Sequence, residues 1–200
     1  GAVNTLVRVD GGYKGYNTDA IGLYRELEEE NIIIKDKEVI ILGAGGASNA
    51  ITYICADKSA AKIYLLNRTF DKAKKLADDV NSHFGDVVVP LAISDYRLIP
   101  KGKYPVIQTT SCGLYPHNDD APIYDKEFYE LVEAGVDIIF NPAKTMFMKL
   151  CKESGARAYN GLKMLLYQGI AAFELWNNIK VPKNLADKIL GMMERKLKES

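Results

Sequence analysis

The chain has 200 residues, 48% of them apolar, and its 26 basic side chains balance its 26 acidic ones. That length holds one large domain or one domain and part of a second, and the neutral balance argues against both a disordered chain and a nucleic-acid surface. Cys55, Cys112 and Cys151 lie far apart without a CxxC pair, and His83 and His117 are the only histidines, so neither a disulfide framework nor a metal site is expected; with no apolar run near ~20 residues and no signal-peptide pattern, a cytoplasmic protein without membrane partners is expected.

From Asn4 to Asn17, "NTLVRVDGGYKGYN" alternates side chains around Asp10-Gly11-Gly12, a hairpin signal because glycine supplies the positive φ of a tight turn. In "DAIGLYRELEEE", Ile21, Leu23, Tyr24 and Leu27 fall near helical spacing, which predicts a helix to about Glu30 with Asp19 in its first turn, where the helix dipole favours an anion. After Lys37, "EVIILG", "KIYLLN", "VVVPLA", "VIQTT", "VDIIF" and "ARAYN" read as short strands alternating with helical stretches. Such near-continuous apolar strands belong to a parallel sheet covered on both faces, and right-handed crossovers fix its winding. Ala47, Ala50, Ile51, Ile54 and Cys55 form the apolar stripe of the first crossover helix. "NGLKMLLYQGIAAFELW" is a second apolar helix, and Leu185, Ile189, Met192, Met193 and Leu197 mark an amphipathic terminal helix beyond Pro182.

The fold class expected is α/β: a Rossmann-like doubly wound parallel sheet with helices on both faces, plus remnants of a second α/β domain. The expected division is a hairpin over 1–18, a connecting helix over 19–36, a dinucleotide-binding domain over 37–159 and returning C-terminal helices over 160–200.

The first strand runs into Gly43-Ala44-Gly45-Gly46-Ala47-Ser48, which opens a helix. Glycines there permit a tight turn and let backbone N–H groups approach a pyrophosphate at the helix N-terminus; Ser48, in place of a third glycine, is still small enough for close helix packing. A GxGxxG-like string alone is a weak signal, but strand before, helix after and a second strand ending roughly 20 residues on are the expected context. At that strand's end a carboxylate would accept the ribose 2′-hydroxyl of NAD. The chain instead has Asn67, Arg68 and Thr69, with Lys72 one turn later. A guanidinium fork, two neutral hydrogen-bonding groups and an ammonium suit a 2′-phosphate, which points to NADP. The plain alternative is a solvated arginine at a helix start capped by Thr69.

The strings "GAVNT", "GYNTD", "GAGGAS", "NRTFDKA", "TTSCG" and "NGLKMLLYQGIAAFELW", in this order over nearly the whole chain, resemble the shikimate dehydrogenase family. The resemblance implies NADP-dependent, reversible reduction of 3-dehydroshikimate to shikimate in aromatic amino acid biosynthesis. It places Asn4, Asp19 and Gln168 at the substrate, with Asp19 catalytic. It places Gly43, Ala44, Gly45, Gly46 and Ala47 at the pyrophosphate, Asn67, Arg68, Thr69 and Lys72 at the 2′-phosphate, and Thr110, Ser111, Gly161 and Met164 at the ribose and nicotinamide. Each substrate residue has a structural alternative: a strand-end cap for Asn4, first-turn stabilisation for Asp19, a helix-flank polar residue for Gln168.

The family's N-terminal substrate segment, with a TxPxK lysine and carboxylate-binding serines, has no counterpart here. The sequence therefore reads as the later part of a longer enzyme or of a fusion with another aromatic-pathway enzyme, binding NADP but turning over poorly alone. Phe140 stands where relatives often carry a tyrosine, and Cys112 where a serine is common and is read as a small buried thiol. The loop "YPHNDDAPI", with His117, Asp119 and Asp120, is read as a solvated turn. Two other readings stay open: an NAD-preferring quinate or shikimate dehydrogenase, which Arg68 and Lys72 oppose, and a non-catalytic dinucleotide-binding regulatory module.

Overall fold

A computed structural model describes residues 3–199. It opens with the antiparallel hairpin β1 (Thr5–Val9) and β2 (Gly12–Tyr16), turned at Gly11 with φ +84°. Helix α1 (Thr18–Glu29) follows at once, with Asn17 as N-cap accepting from the Ala20 N–H at 3.1 Å. Its buried face is Thr18, Ala20, Gly22, Leu23, Glu26 and Leu27.

The remainder alternates strictly: β3 (Glu38–Leu42), α2 (Gly46–Asp57), β4 (Lys62–Asn67), α3 (Phe70–Phe84), β5 (Val88–Ala92), a 3₁₀ segment (Ile93–Leu98), β6 (Tyr104–Gln108), the short α4 (Lys126–Tyr129), β7 (Val132–Asp137), α5 (Met146–Glu153) and β8 (Arg157–Asn160). Helices α6 (Leu162–Asn177) and α7 (Lys183–Glu199) close the chain. The six strands form one parallel sheet in the order β5-β4-β3-β6-β7-β8. Pro90, which cannot donate to a ladder, sits in an edge strand.

Successive residues of the central strands feed opposite cores. Val39, Ile41, Ile63, Leu65 and Ile107 pack under α1, α2 and α3, whereas Ile40, Leu42, Leu66 and Val106 pack with Phe128, Tyr129 and Phe147 on the other face. Each fully buried side chain of this kind contributes about 1.5–3 kcal/mol, so these two cores are what hold the helices onto the sheet. Chain order reverses between β3 and β6, which opens a crevice beyond the carboxyl ends of those strands.

Two strands differ from the sequence expectation. β6 stops at Gln108, short of the two threonines that end "VIQTT", and β7 spans Val132–Asp137 rather than the 136–140 segment "VDIIF". The reason is local. The Gln108 Oε1 accepts the Thr110 N–H, and the Asp137 Oδ1 accepts the Ile139 N–H at 3.0 Å, so side chains take the backbone donors that would otherwise extend the ladder.

The hairpin lies against α6, where the Trp176 Nε1–H donates to the Leu6 carbonyl at 3.0 Å. Leu6, Phe173 and Trp176 remain exposed on this side. No helix of the described residues is long and apolar enough to cross a membrane, and no cluster among them could hold a metal ion.

Candidate active site

The glycine loop sits where the crevice opens. Gly43 has φ +111° and its N–H donates to the Leu66 carbonyl at 2.7 Å, which ties the loop to the end of β4. A Cβ on Gly43 would lie 2.5 Å from the Thr109 hydroxyl oxygen, so this position both turns left-handed and touches the loop after β6. Thr109 fixes that contact by donating from its N–H and its hydroxyl to the Leu42 carbonyl, at 2.9 and 2.7 Å. The buried Ser48 donates to the Gly43 carbonyl at 2.6 Å; the small residue in place of a third glycine is thus an internal staple.

Gly45, the N-cap of α2, supplies no side-chain cap, and apart from the adjoining residues and the helix's own backbone no atom of the described residues lies within 4 Å of where a Cβ on Gly45 or Gly46 would stand. The first N–H groups of α2 therefore face an open, side-chain-free cradle beside Ala44 and Ala47. An anion fits there by charge and by space.

Arg68 and Thr69 follow directly from β4, next to that loop in the sheet. Arg68 is exposed, and no ion pair or hydrogen bond engages its guanidinium among the described residues. Thr69 takes the N-cap position of α3 with φ −97° and ψ 102°, yet its hydroxyl makes no capping hydrogen bond. Asn67 holds the turn by donating from Nδ2 to the Thr69 carbonyl at 2.8 Å, and the Lys72 ammonium is exposed one turn on. The solvated-arginine alternative accounts for the exposure but not for a capping residue whose hydroxyl is left unused. These four groups form a cationic, donor-rich rim at one end of the crevice.

At the other end are the loop after β6 and the start of α6. Thr110 is half-buried and Ser111 exposed; the Thr110 hydroxyl accepts the Cys112 N–H at 3.2 Å. Cys112 is half-buried rather than buried, because it lies in this loop and not under it. Gly161 is the N-cap of α6 and its N–H donates to the Ile139 carbonyl at 3.0 Å; any Cβ there would overlap the Ile138 carbonyl. Met164, 8% exposed, lies in the first turn of α6.

Asn4, Thr18 and Gln168 meet where the hairpin, α1 and α6 converge. The Asn4 Oδ1 accepts from the Thr18 N–H at 2.8 Å, the Thr5 hydroxyl at 3.0 Å and the Thr18 hydroxyl at 3.2 Å. With its oxygen so occupied, the Asn4 amide NH₂ is turned outward as a donor. Gln168 lies 3.5 Å from the Thr18 hydroxyl through Oε1 and donates to its own helix at the Leu165 carbonyl, 3.1 Å. Asp19, the next residue of α1, is half-buried and its carboxylate has no hydrogen-bond or ion-pair partner among the described residues. One turn further, a Cβ on Gly22 would stand 2.6 Å from the Met164 carbonyl and 2.7 Å from the Gln168 nitrogen. That glycine lets α1 and α6 approach closely enough to set Gln168 beside Thr18, the residue before Asp19.

Sequence reasoning missed Thr18, whose hydroxyl joins the two amide residues, although it stands inside the quoted "GYNTD". It also missed three buried polar residues, Gln108, Asp137 and Thr145. Burial pushes the Asp137 carboxyl up to about 6, against the hydrogen bonds from Thr145, Ile139 and Gln108 that favour its charged form. The Phe140 ring and the His117–Asp120 loop are exposed; the His117 to Asp120 separation of 3.9 Å is that of a solvated pair.

A doubly wound parallel sheet with a glycine cradle and a cationic rim at its switch point defines a dinucleotide-dependent oxidoreductase of the NADP type. Residues 26–94 match the family model "Shikimate / quinate 5-dehydrogenase", and residues 161–188 match "Shikimate 5'-dehydrogenase C-terminal domain". A shikimate dehydrogenase (NADP(+)) from Carboxydothermus hydrogenoformans is 38% identical over 96% of this chain and 68% of its own length. Among solved structures, a chorismate mutase/shikimate 5-dehydrogenase fusion protein from Clostridium acetobutylicum is 33% identical with a TM-score of 0.85, over 100% of this chain and 68% of that one. A shikimate dehydrogenase in complex with NADP+ is 34% identical with a TM-score of 0.78, over 95% of this chain and 66% of that one. The chain belongs to the shikimate dehydrogenase family, NADP-dependent oxidoreductases that act on a CH–OH group. It spans about two thirds of the length of these relatives.

Proposed function

We propose that this chain carries the cofactor half and part of the substrate half of an NADP-dependent shikimate dehydrogenase, with the residues of the crevice in the following roles. Gly43, Ala44, Gly45, Gly46 and Ala47 receive the pyrophosphate on the N–H groups that open α2. Arg68 and Lys72 neutralise the adenosine 2′-phosphate, and Asn67 and Thr69 add neutral hydrogen bonds to it. Thr110, Ser111, Gly161 and Met164 line the ribose and nicotinamide. When bound, NADPH would supply the hydride to the carbonyl carbon of 3-dehydroshikimate, and the carbonyl oxygen would take up a proton to become the hydroxyl of shikimate.

Asn4 offers its amide donors, and Gln168 both donor and acceptor, to the hydroxyls of the ring. The Asp19 carboxylate accepts a hydrogen bond from the reacting hydroxyl or orients the base that takes its proton. The division into 1–18, 19–36, 37–159 and 160–200 fits these roles, since the second and fourth segments meet along α1 and α6. The fused relative supports an aromatic-pathway enzyme as the kind of partner for such a chain.

The observation that carries this reading is the exposed guanidinium of Arg68, without a partner among the described residues, at the strand tip that adjoins a side-chain-free helix start. An arginine serving only the fold would be expected to pair with a carboxylate. Separate calorimetric titrations with NADP and NAD test it: NADP should bind at least about tenfold tighter, the equivalent of about 1.4 kcal/mol from one charge-assisted contact. Equal affinities would favour the NAD-preferring alternative, and binding of neither would remove the dinucleotide reading. If NADP binds, a spectrophotometric assay for shikimate-dependent NADPH formation separates a catalytic chain from a regulatory module.

A further inference from the structure

Three buried polar side chains stand behind the walls of the crevice and are used by none of the roles above. Gln108, at the end of β6, and Asp137, at the end of β7, are both fully buried, and Thr145, the N-cap of α5, is 1% exposed. We propose that Gln108 and Asp137 are positioning residues that hold the nicotinamide end of the crevice in its binding geometry. This rests on the NADP reading of the same site.

Gln108 grips one loop at three points. Its Oε1 accepts the Thr110 N–H, and its Nε2 donates to the Cys112 carbonyl at 3.1 Å and lies 3.4 Å from the Thr110 carbonyl. The same Nε2 lies 3.3 Å from the Asp137 Oδ1. Asp137 in turn accepts the Ile139 N–H at 3.0 Å on that oxygen and the Thr145 hydroxyl at 2.6 Å on the other. The Thr145 hydroxyl oxygen accepts the Met148 N–H at 3.3 Å, which anchors α5.

The chain of contacts continues to α6. The Ile138 N–H donates to the Gln108 carbonyl at 3.1 Å, and the Ile139 carbonyl accepts the Gly161 N–H at 3.0 Å. One buried pair thus fixes the 109–113 loop, the 138–145 loop and the N-cap of α6 relative to each other. These are the segments that carry Thr110, Ser111, Gly161 and Met164. Nothing in the pair reaches the rim at Asn67–Lys72, which hangs from β4 on the far side of β3.

An apolar core would satisfy the same volume. Burying an amide and a carboxylate is unfavourable unless both are fully engaged, so their use here indicates that direction is needed and not only packing. Two loops leaving neighbouring strands have no ladder to align them; the side-chain network replaces it.

The inference separates the two ends of the cofactor, and so does its test. Calorimetry would compare NADP with adenosine 2′,5′-bisphosphate, which keeps the 2′-phosphate and lacks the nicotinamide, for the unaltered chain, Gln108→Met and Asp137→Asn, with thermal unfolding recorded for each. The expected result for Gln108→Met is an affinity for NADP about tenfold lower, from loss of the loop's hydrogen bonds, with the affinity for the bisphosphate within about twofold. Asp137→Asn, which keeps size and one acceptor, should show the same selective loss to a smaller extent, and it carries the test if Gln108→Met does not fold. Proportional loss of both ligands, or no loss of either, would overturn the proposal. Failure of the unaltered chain to bind either ligand would instead refute the NADP reading on which it stands.

Discussion

The two ends of the crevice are built on opposite principles. In the rim proposed for the 2′-phosphate, Arg68 and Lys72 are exposed and have no partners among the described residues, whereas the end proposed for the nicotinamide is shaped by Gln108 and Asp137, which have almost no exposure. A charge that must recognise a dianion stays in water until the ligand arrives, because burying it unpaired would shift or neutralise it. A surface that must aim a ring at a substrate has to be rigid before binding, and rigidity comes from buried, fully satisfied hydrogen bonds. On the proposed roles, recognition at one end is electrostatic, and at the other geometric.

The largest expected effect breaks the geometric end. Gly161→Ala would drive a methyl group into the Ile138 carbonyl, backbone that cannot yield without displacing β7 or α6. A loss of about 3 kcal/mol in urea unfolding is expected, with NADP binding lost as α6 shifts. Unfolding curves that superimpose on those of the unaltered chain would mean that the 138–145 loop is soft.

Arg68→Ala tests the other end without touching the core. NADP affinity should fall about 10- to 100-fold, the equivalent of roughly 1.4 to 2.7 kcal/mol, while affinity for NAD and the midpoint of thermal unfolding stay put. A matching loss for NAD would show that the guanidinium serves the loop and not the 2′-phosphate.

The buried end should also answer to pH where the exposed end answers to salt. Glu26, in α1, is 1% exposed and neither of its carboxyl oxygens has a hydrogen-bond partner among the described residues. Burial pushes it from 4.5 to about 8, opposed by the Met164 N–H at the start of α6, which falls short of hydrogen-bond geometry. A raised acid pKa means that the folded state holds a proton which the unfolded state has released, so stability falls as pH rises from about 4.5 to about 8. The slope is at most about 1.4 kcal/mol per pH unit, and Glu26→Gln should abolish it, leaving the variant more stable than the parent at pH 8. Identical pH profiles would show that the Glu26 carboxyl ionises as freely in the folded chain as in the unfolded one.

The smallest effect sharpens the rim. Lys72→Ala should weaken NADP by only a few-fold, because an exposed ammonium acts as a screened point charge where Arg68 offers a fork, and the difference from the parent should shrink in high salt. A loss as large as that of Arg68→Ala would move the phosphate one helical turn along α3.

Much of this was legible in the chain. The apolar runs, the Asp10-Gly11 turn, the glycine string and the absence of a carboxylate after β4 each act over a few residues, through φ preference, period and charge. The ends of β6 and β7 were misread because "VIQTT" and "VDIIF" are good strand compositions; what stops them is the folding back of Gln108 and Asp137 onto their own backbone. Periodicity likewise gave no warning that Glu26 is buried, since elements far along the chain, α6 among them, lie over it.

The sequence by itself determined the alternation of strands and helices, the open helix start at Gly45 and Gly46, and the sign of the charge at Arg68, because these depend on neighbours a few bonds or one turn away. Only the tertiary structure decided that Asn4, Thr18 and Gln168 share hydrogen bonds across 164 positions of chain and that Gln108 meets Asp137, since contacts between elements are selected by how whole faces pack and not by any local preference.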